Sequence, residues 1–263
     1  MKTILDRIIE HKATEIKNLK KLGLPHQTEF QQKERSLISK LNTNKNMAII
    51  SEFKRASPSK GDINPNLDPV AQAKLYESCG ADAISVLTDE NFFKGTFADL
   101  TAIRSAVDLP LLCKDFIIDQ IQIDFAKHAG ADIILLIASA LETQQLKDLY
   151  EYADHIGLEV LIEIHNEQEL EKAFVTKAPL IGINNRNLKT FEVSLDRTEQ
   201  LGPLVKQAGS LLISESGMKA KEDVAKARNA GANGILVGET FMKAAKLQET
   251  FNAFRIPIKE GTV

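Results

Sequence analysis

Gly80-Ala-Asp-Ala-Ile84, Gly130-Ala-Asp-Ile-Ile134 and Gly231-Ala-Asn-Gly-Ile235 are three versions of one local pattern. The first two stand 50 residues apart, the third follows 101 residues later, and the apolar Leu180-Ile-Gly-Ile183 fills the slot between. In each, a helix ends at the glycine and a buried strand begins directly after it. The interval is too long for one βα unit and right for two, so these are the even strands of an eightfold repeat. Odd strands are expected between them, at Met47–Lys54, Pro110–Asp115, Leu158–Ile164 and Leu211–Glu215. The even ones are Ala83–Thr88, Ile133–Ala138, Leu180–Asn184 and Gly234–Gly238. Helical patterns separate them: Pro69–Ser78, Ala98–Ala106, Asp119–His128, Glu142–His155, Asn166–Val175, Asp196–Gln207, Lys219–Asn229 and Thr240–Ala253. Eight strands alternating with eight helices is a (β/α)8 TIM barrel. A doubly wound sheet would need a glycine-rich dinucleotide turn, which the chain lacks.

Working outward, residues 46–255 make the barrel and residues 1–45 an N-terminal helical extension, all one domain of 263 residues. Ile4, Leu5, Ile8, Ile9, Ile16 and Leu19 are close to helical spacing, with Thr3 and Asp6 as a capping pair and Gly23 and Pro25 as the stop. Phe30, Leu37, Ile38 and Leu41 mark a second helical pattern. Ten Lys/Arg against five Asp/Glu give this extension a charge of +5 within a chain of net −3. That surplus reads either as solvated helix faces or as a cap lending positive potential to a mouth that receives an anion.

The net charge of −3 offers no basic footprint for nucleic acid. No apolar run approaches the ~20 residues of a membrane span, and Met1-Lys-Thr-Ile-Leu-Asp-Arg7 has no signal-peptide core. Two cysteines, Cys79 and Cys113, give no disulfide framework and suit a reducing compartment, so a cytoplasmic protein is expected. His11, His26, His128, His155 and His165 show no metal-ligand spacing, and His165 reads as a polar lead-in to a helix. No metal, cofactor or obligate protein partner is expected.

Barrel active sites lie at the C-terminal strand ends. In order, these ends carry Glu52 and Lys54, Thr88, Lys114, Ser139, Glu163, Asn184, Glu215-Ser216 and Gly238-Glu239. Strand parity puts Leu112 with Lys114, Leu161 with Glu163, and Gly182 with Asn184, so several ionisable or amide groups face one mouth. One such charge is usually a structural ion pair; this many at one end is a site. Convergence of Lys54 and Lys114 should lower the pKa of at least one, leaving a proton donor or a Schiff-base amine, with Glu163 as base. The loops at Ser216-Gly217 and Gly238-Glu239, beside Ser57 in the turn after strand one, suit a phosphate. Phe93 and Phe116 lie just beyond strands two and three, where an aryl ring could be sandwiched between them.

The stretch Ile49-Ile-Ser-Glu-Phe-Lys-Arg-Ala-Ser-Pro-Ser-Lys-Gly61 resembles the signature of the indole-3-glycerol phosphate synthase family. So do Leu112-Cys-Lys-Asp-Phe116, Leu161-Ile-Glu-Ile-His165, Ile183-Asn-Asn-Arg-Asn-Leu188, Ser214-Glu-Ser-Gly217 and Leu236-Val-Gly-Glu239. The resemblance implies a lyase of tryptophan biosynthesis acting on a phosphorylated small molecule, without a cofactor. Its substrate would be 1-(2-carboxyphenylamino)-1-deoxyribulose 5-phosphate, and its products indole-3-glycerol phosphate, CO2 and water. By the same resemblance Lys114 is the general acid and Glu163 its partner in dehydration. Lys54 holds the substrate carboxylate, while Glu52, Asn184 and Ser216 bind or orient the sugar. Ser57, Gly217, Gly238 and Glu239 meet the phosphate, the last two largely through backbone, and Arg186, Phe93 and Phe116 complete the binding set. Relatives often carry Asp where this chain has Asn187, which is expected to weaken an ion pair with a base such as Arg186. The chain ends after one barrel, so a fused phosphoribosylanthranilate isomerase is not expected. A Schiff-base aldolase with Lys114 as nucleophile, and a phosphometabolite-binding barrel without turnover, are the alternatives.

Overall fold

The computed structural model describes residues 2–24, 30 and 33–258. Eight parallel strands close into a barrel: β1 Ala48–Phe53, β2 Ala83–Leu87, β3 Leu111–Lys114, β4 Ile133–Ile137, β5 Glu159–Ile164, β6 Leu180–Asn184, β7 Leu211–Glu215 and β8 Gly234–Val237. Neighbours follow chain order, and β8 returns to β1 with Ala48 opposite Gly234 and Ser51 opposite Val237. Each expected strand is present, shortened by at most two residues at an end.

The repeat that revealed the barrel has a physical cause. Its glycines adopt left-handed backbone, with φ 91° at Gly80, 93° at Gly130 and 101° at Gly231, a conformation that ends the preceding helix cheaply only without a Cβ. The third residue of each unit then clamps the strand before it. Asp82 accepts the N–H of Ile49, Asp132 that of Leu111 and Asn233 that of Leu212, each at 2.9 Å. The backbone N–H of the same three residues donates back to the carbonyls of Ile49, Leu111 and Leu212. The unit is a staple between strand starts, satisfying backbone groups that the first residues of a strand would otherwise leave open.

Alternation divides the apolar residues into two layers. Ala48, Ile50, Leu112, Leu135, Leu161, Ile213 and Leu236 fill the barrel interior. Ile49, Phe53, Val86, Cys113, Ile162 and Ile235 face the helices. Those helices are α3 Pro69–Ser78, α4 Glu90–Phe93, α5 Phe97–Ala106, α6 Gln120–His128, α7 Thr143–His155, α8 Glu167–Phe174, α9 Asp196–Gln207, α10 Lys221–Asn229, α11 Glu239–Lys243 and α12 Leu247–Phe254. The single helix expected over Thr240–Ala253 is two, because the chain turns out of helix at Ala244 (ψ 119°). The turn stacks Phe241 on Phe251, ring centroids 4.3 Å apart, so both rings are buried.

The extension takes both ends of the barrel. Helix α1, Ile4–Leu22, starts with the expected capping box of Thr3 and Asp6 and ends at Gly23; Pro25 and His26 lie outside the described residues. It lies over the C-terminal mouth. Helix α2, Leu37–Thr43, plugs the opposite end, where Leu37 and Leu41 join the interior layer and Glu159 accepts the backbone N–H groups of Leu37 and Ile38. Phe30 precedes α2 and is not part of it. No described helix is long and apolar enough to cross a membrane, and among the described residues no group of three or more His, Cys, Asp or Glu is arranged to hold a metal.

Candidate active site

A cavity of about 640 Å³ opens at the C-terminal mouth, a size suited to a small organic ligand. Glu52, Lys54, Ser57, Phe93, Lys114, Phe116, Glu163, Asn184, Arg186, Ser216, Gly217, Gly238 and Glu239 all line it, as do Ile4, Leu5 and Ile8 of α1. All thirteen sequence-derived site residues are therefore brought together. Thr88 and Ser139 do not join them: Thr88 is buried against Asp115, Ser139 is exposed, and β4 instead offers an apolar wall of Leu135 and Ile137.

Lys114 sits at the centre of the floor. Its Nζ lies 2.5 Å from Glu215 Oε2, 3.8 Å from Glu52 Oε2 and 3.9 Å from Glu163 Oε2. Glu52 gives its other oxygen to Lys54, so this carboxylate separates the two lysines. Burial opposes the charge on Lys114, but Glu215, Glu52 and Glu163 outweigh it and hold the amine above its ordinary pKa. For Lys114 this is the reverse of the lowering that two convergent lysines suggest, for an acid counterion stands where a like charge was expected. Burial also works against ionising Glu52, yet Lys54 and Lys114 keep that carboxyl below its usual range. A Schiff-base aldolase needs a neutral amine. Three surrounding carboxylates favour the ammonium, a proton donor.

Glu215, which the sequence places at the mouth without a role, is central to the site. It is 1% exposed, and burial, reinforced by Glu163 and Glu52, pushes its pKa up against the pull of Lys114. The available signal was Gly182: a Cβ there would lie 2.2 Å from Glu215 Oε1, so glycine on β6 is what lets this carboxylate cross the barrel. His165 is an omission. Its Nε2 faces Glu163 Oε1 at 3.5 Å, on the inward parity of β5.

The turn after β7 is backbone-driven. Ser216 (φ 65°) and Gly217 (φ 94°) are consecutive left-handed residues, a conformation that is costly for serine. Ser216 Oγ donates to Asn184 Oδ1 at 3.0 Å, and Asn185 Nδ2 fixes the Ser216 carbonyl at 3.1 Å. A side chain at Gly217 would meet Val193 at 2.9 Å. Glu239 is turned aside, with its carboxylate 2.6 Å from Lys243 and 3.8 Å from Lys60.

One expectation changes in detail. Phe93 and Phe116 have centroids 5.9 Å apart, whereas a ring held between them needs two stacking distances of ~3.5 Å each. They form one aromatic wall instead of a sandwich. Asn187 holds a turn: its Oδ1 accepts Lys189 N at 2.8 Å and Thr190 N at 3.3 Å. Arg186 donates to the Phe191 carbonyl at 3.2 Å.

Behind the aromatic wall lies a buried ionic cluster. Lys12 of α1 is fully buried, 2.7 Å from Asp115, 3.0 Å from Asp89 and 2.9 Å from Glu15. Burial disfavours its charge, but Asp115, Asp89 and Glu15 raise its pKa above the ordinary value. Asp89 caps α4 by accepting Phe92 N at 2.6 Å, and Asp115 accepts Phe116 N at 2.7 Å. One lysine thus ties down both loops that carry the wall.

Comparison with known proteins gives the family. The family described as indole-3-glycerol phosphate synthase matches residues 5–254. An indole-3-glycerol phosphate synthase of Bacillus cereus (strain B4264) is 51% identical over 258 residues, covering 98% of this chain and 100% of the relative. Those of Bacillus thuringiensis subsp. konkukian (strain 97-27) and Bacillus mycoides (strain KBAB4) are each 50% identical over the same shares. The family match and these relatives cover nearly the whole chain at about half identity, and so the chain belongs to the indole-3-glycerol phosphate synthase family.

Proposed function

We propose that this chain closes the indole ring of 1-(2-carboxyphenylamino)-1-deoxyribulose 5-phosphate, with Lys114 as general acid and Glu163 as its partner. The observation that carries the reading is Lys114 itself, an ammonium among three carboxylates on the floor of the mouth. The aryl group rests against Phe93 and Phe116, and Lys54 takes its carboxylate. The phosphate lies among Ser57, Gly217 and the backbone of Gly238-Glu239, with Arg186 near. Glu52, Asn184 and Ser216 orient the sugar.

The steps balance. The ring carbon bearing the carboxylate attacks the C2 ketone while Lys114 protonates the carbonyl oxygen, forming the new C–C bond. Loss of CO2 restores the aromatic ring. The C2 hydroxyl then leaves as water after a second protonation, pushed by the nitrogen lone pair, and Glu163 removes a proton from C1. Two protons enter and one leaves, so one is taken up per turnover, matching the carboxylate lost. Such acid–base steps need groups of opposite protonation state within reach of one substrate, which Lys114 and Glu163 supply.

Purified protein given this substrate should develop indole absorbance, and inorganic phosphate should inhibit competitively. No absorbance change with folded protein would overturn the reading. Lys54→Met should raise KM more than it lowers kcat, since its partner Glu52 still faces Lys114. An equal fall in kcat and kcat/KM would instead make Lys54 part of the chemistry. The work belongs in the cytosol, consistent with the buried free thiols of Cys79 and Cys113.

A further inference from the structure

The His165 side chain is only 9% exposed and has a carboxylate on either side, yet the mechanism above does not use it. Glu169 Oε2, from the first turn of α8, accepts the backbone N–H of His165 at 2.8 Å and faces its ring Nδ1 at 3.0 Å. Asn166 holds the other oxygen of Glu169 at 2.7 Å and is itself fixed by Glu169 N at 2.9 Å. An ionised carboxylate only accepts, so Nδ1 must carry the proton. That leaves Nε2 buried, with no hydrogen-bond partner of its own among the described residues, 3.5 Å from Glu163 Oε1. A neutral ring would aim a lone pair at a carboxylate oxygen. The arrangement is favourable only with a proton between Nε2 and Oε1.

We propose that His165 is a positioning residue for the reaction: as an imidazolium oriented by Glu169, it donates Nε2–H to Glu163 Oε1, keeping that carboxylate ionised and its Oε2 turned to Lys114. The inference rests on the role given to Glu163 above. Other charged groups face the pair from each packed element. Lys114 of β3 stands 3.9 Å from Glu163 Oε2, Glu215 of β7 lies beyond it, and Arg197 of α9 opposes the charge on the ring. Burial also disfavours the imidazolium, but the bond to Glu169 and the charges of Glu163 and Glu169 outweigh both and raise its pKa. A raised histidine is charged throughout acid and loses its charge only as pH climbs past the ordinary ~6.5. Through the acidic limb of the pH profile His165 is therefore a cation beside Glu163.

The sign follows. His165→Gln removes a positive neighbour, makes Glu163 costlier to ionise and moves the acidic limb of kcat/KM to higher pH. An opposite charge within ~4–6 Å is worth ~1–3 pH units, so a move of about one is expected. Glu169→Gln should move it the same way but by less, because the ring, still charged in acid, is no longer held against Glu163 by an ionised partner. In the unaltered protein, nitrogen-15 spectra of the five histidines should include one with both ring nitrogens protonated near neutrality, and that signal should vanish in His165→Gln. A limb that stays in place in both folded variants would overturn the proposal, as would a neutral Nδ1–H ring at neutral pH in the unaltered protein. The spectrum decides even where a variant does not fold. Glu163→Gln separates the two readings. If it stays active, the role of Glu163 fails; if it is inactive while the acidic limb of His165→Gln is unmoved, only the inference about His165 fails.

Discussion

Lys114→Ala should lower kcat by ~10²–10⁴-fold, the usual worth of a positioned acid or base, and more if the same ammonium serves both ring closure and dehydration. The substitution does more than delete a proton donor. Glu215, Glu52 and Glu163 all face this nitrogen within 3.9 Å, and without it three carboxylates confront one another in a buried floor. Part of the loss could then be structural, so the alanine variant needs a companion. Lys114→Arg keeps the cation but replaces a titratable amine with a guanidinium that does not release its proton near neutrality. Thermal stability should recover in the arginine variant while turnover stays low. Near-normal kcat in either variant would remove Lys114 from the chemistry.

The barrel was legible because its signals are local and repeated. Gly80, Gly130 and Gly231 each mark a helix end, and Asp82, Asp132 and Asn233 each staple a strand start, so one short pattern recurs at fixed intervals. The inward set was legible for a related reason: strand parity is a period of two, and an apolar neighbour such as Leu112 or Leu161 reveals which face is inside. What failed to show depends on partners across the barrel. Glu215 shares parity with Ile213, but nothing in Ser214-Glu-Ser216 says that the carboxylate reaches Lys114 on the far side. The clearing for it is made by Gly182, on a neighbouring strand.

His165 was hidden by its helix. Asn166 and Glu169 read as ordinary capping residues at the start of α8, and they are, but Glu169 also holds the histidine ring. Lysine on an amphipathic helix is normally solvated, so Lys12 offered no signal at all. Its aspartates come from two separate loops, about 77 and 103 residues later in the chain, and only the closed barrel brings them together. The raised pKa of Lys114 was hidden for the same reason. Lys54 and Lys114 were visible, whereas the position of Glu52 between them was a matter of geometry.

Lys12→Met should destabilise the fold by ~3–5 kcal/mol, the range for removing one partner of a buried ion pair. Methionine nearly matches the stem, so the loss comes from leaving Asp89 and Asp115, at 0% and 1% exposure, without their cation. Because those aspartates are then costlier as anions, the deficit should shrink as pH falls and protonation relieves them. Asp89 also caps α4 and Asp115 holds the Phe116 N–H, so the aromatic wall loosens with them and KM should rise more than kcat falls. Denaturant titration at two pH values and steady-state kinetics give both answers. A triple variant, Lys12→Met with Asp89→Asn and Asp115→Asn, removes the stranded charges while keeping the side-chain volumes. If charge is the cause, it should be more stable than Lys12→Met alone. If the triple variant is no better, or if Lys12→Met costs nothing, the cluster does not anchor α1 to the mouth, and the extension is held by the apolar contacts of residues such as Ile8 and Ile16.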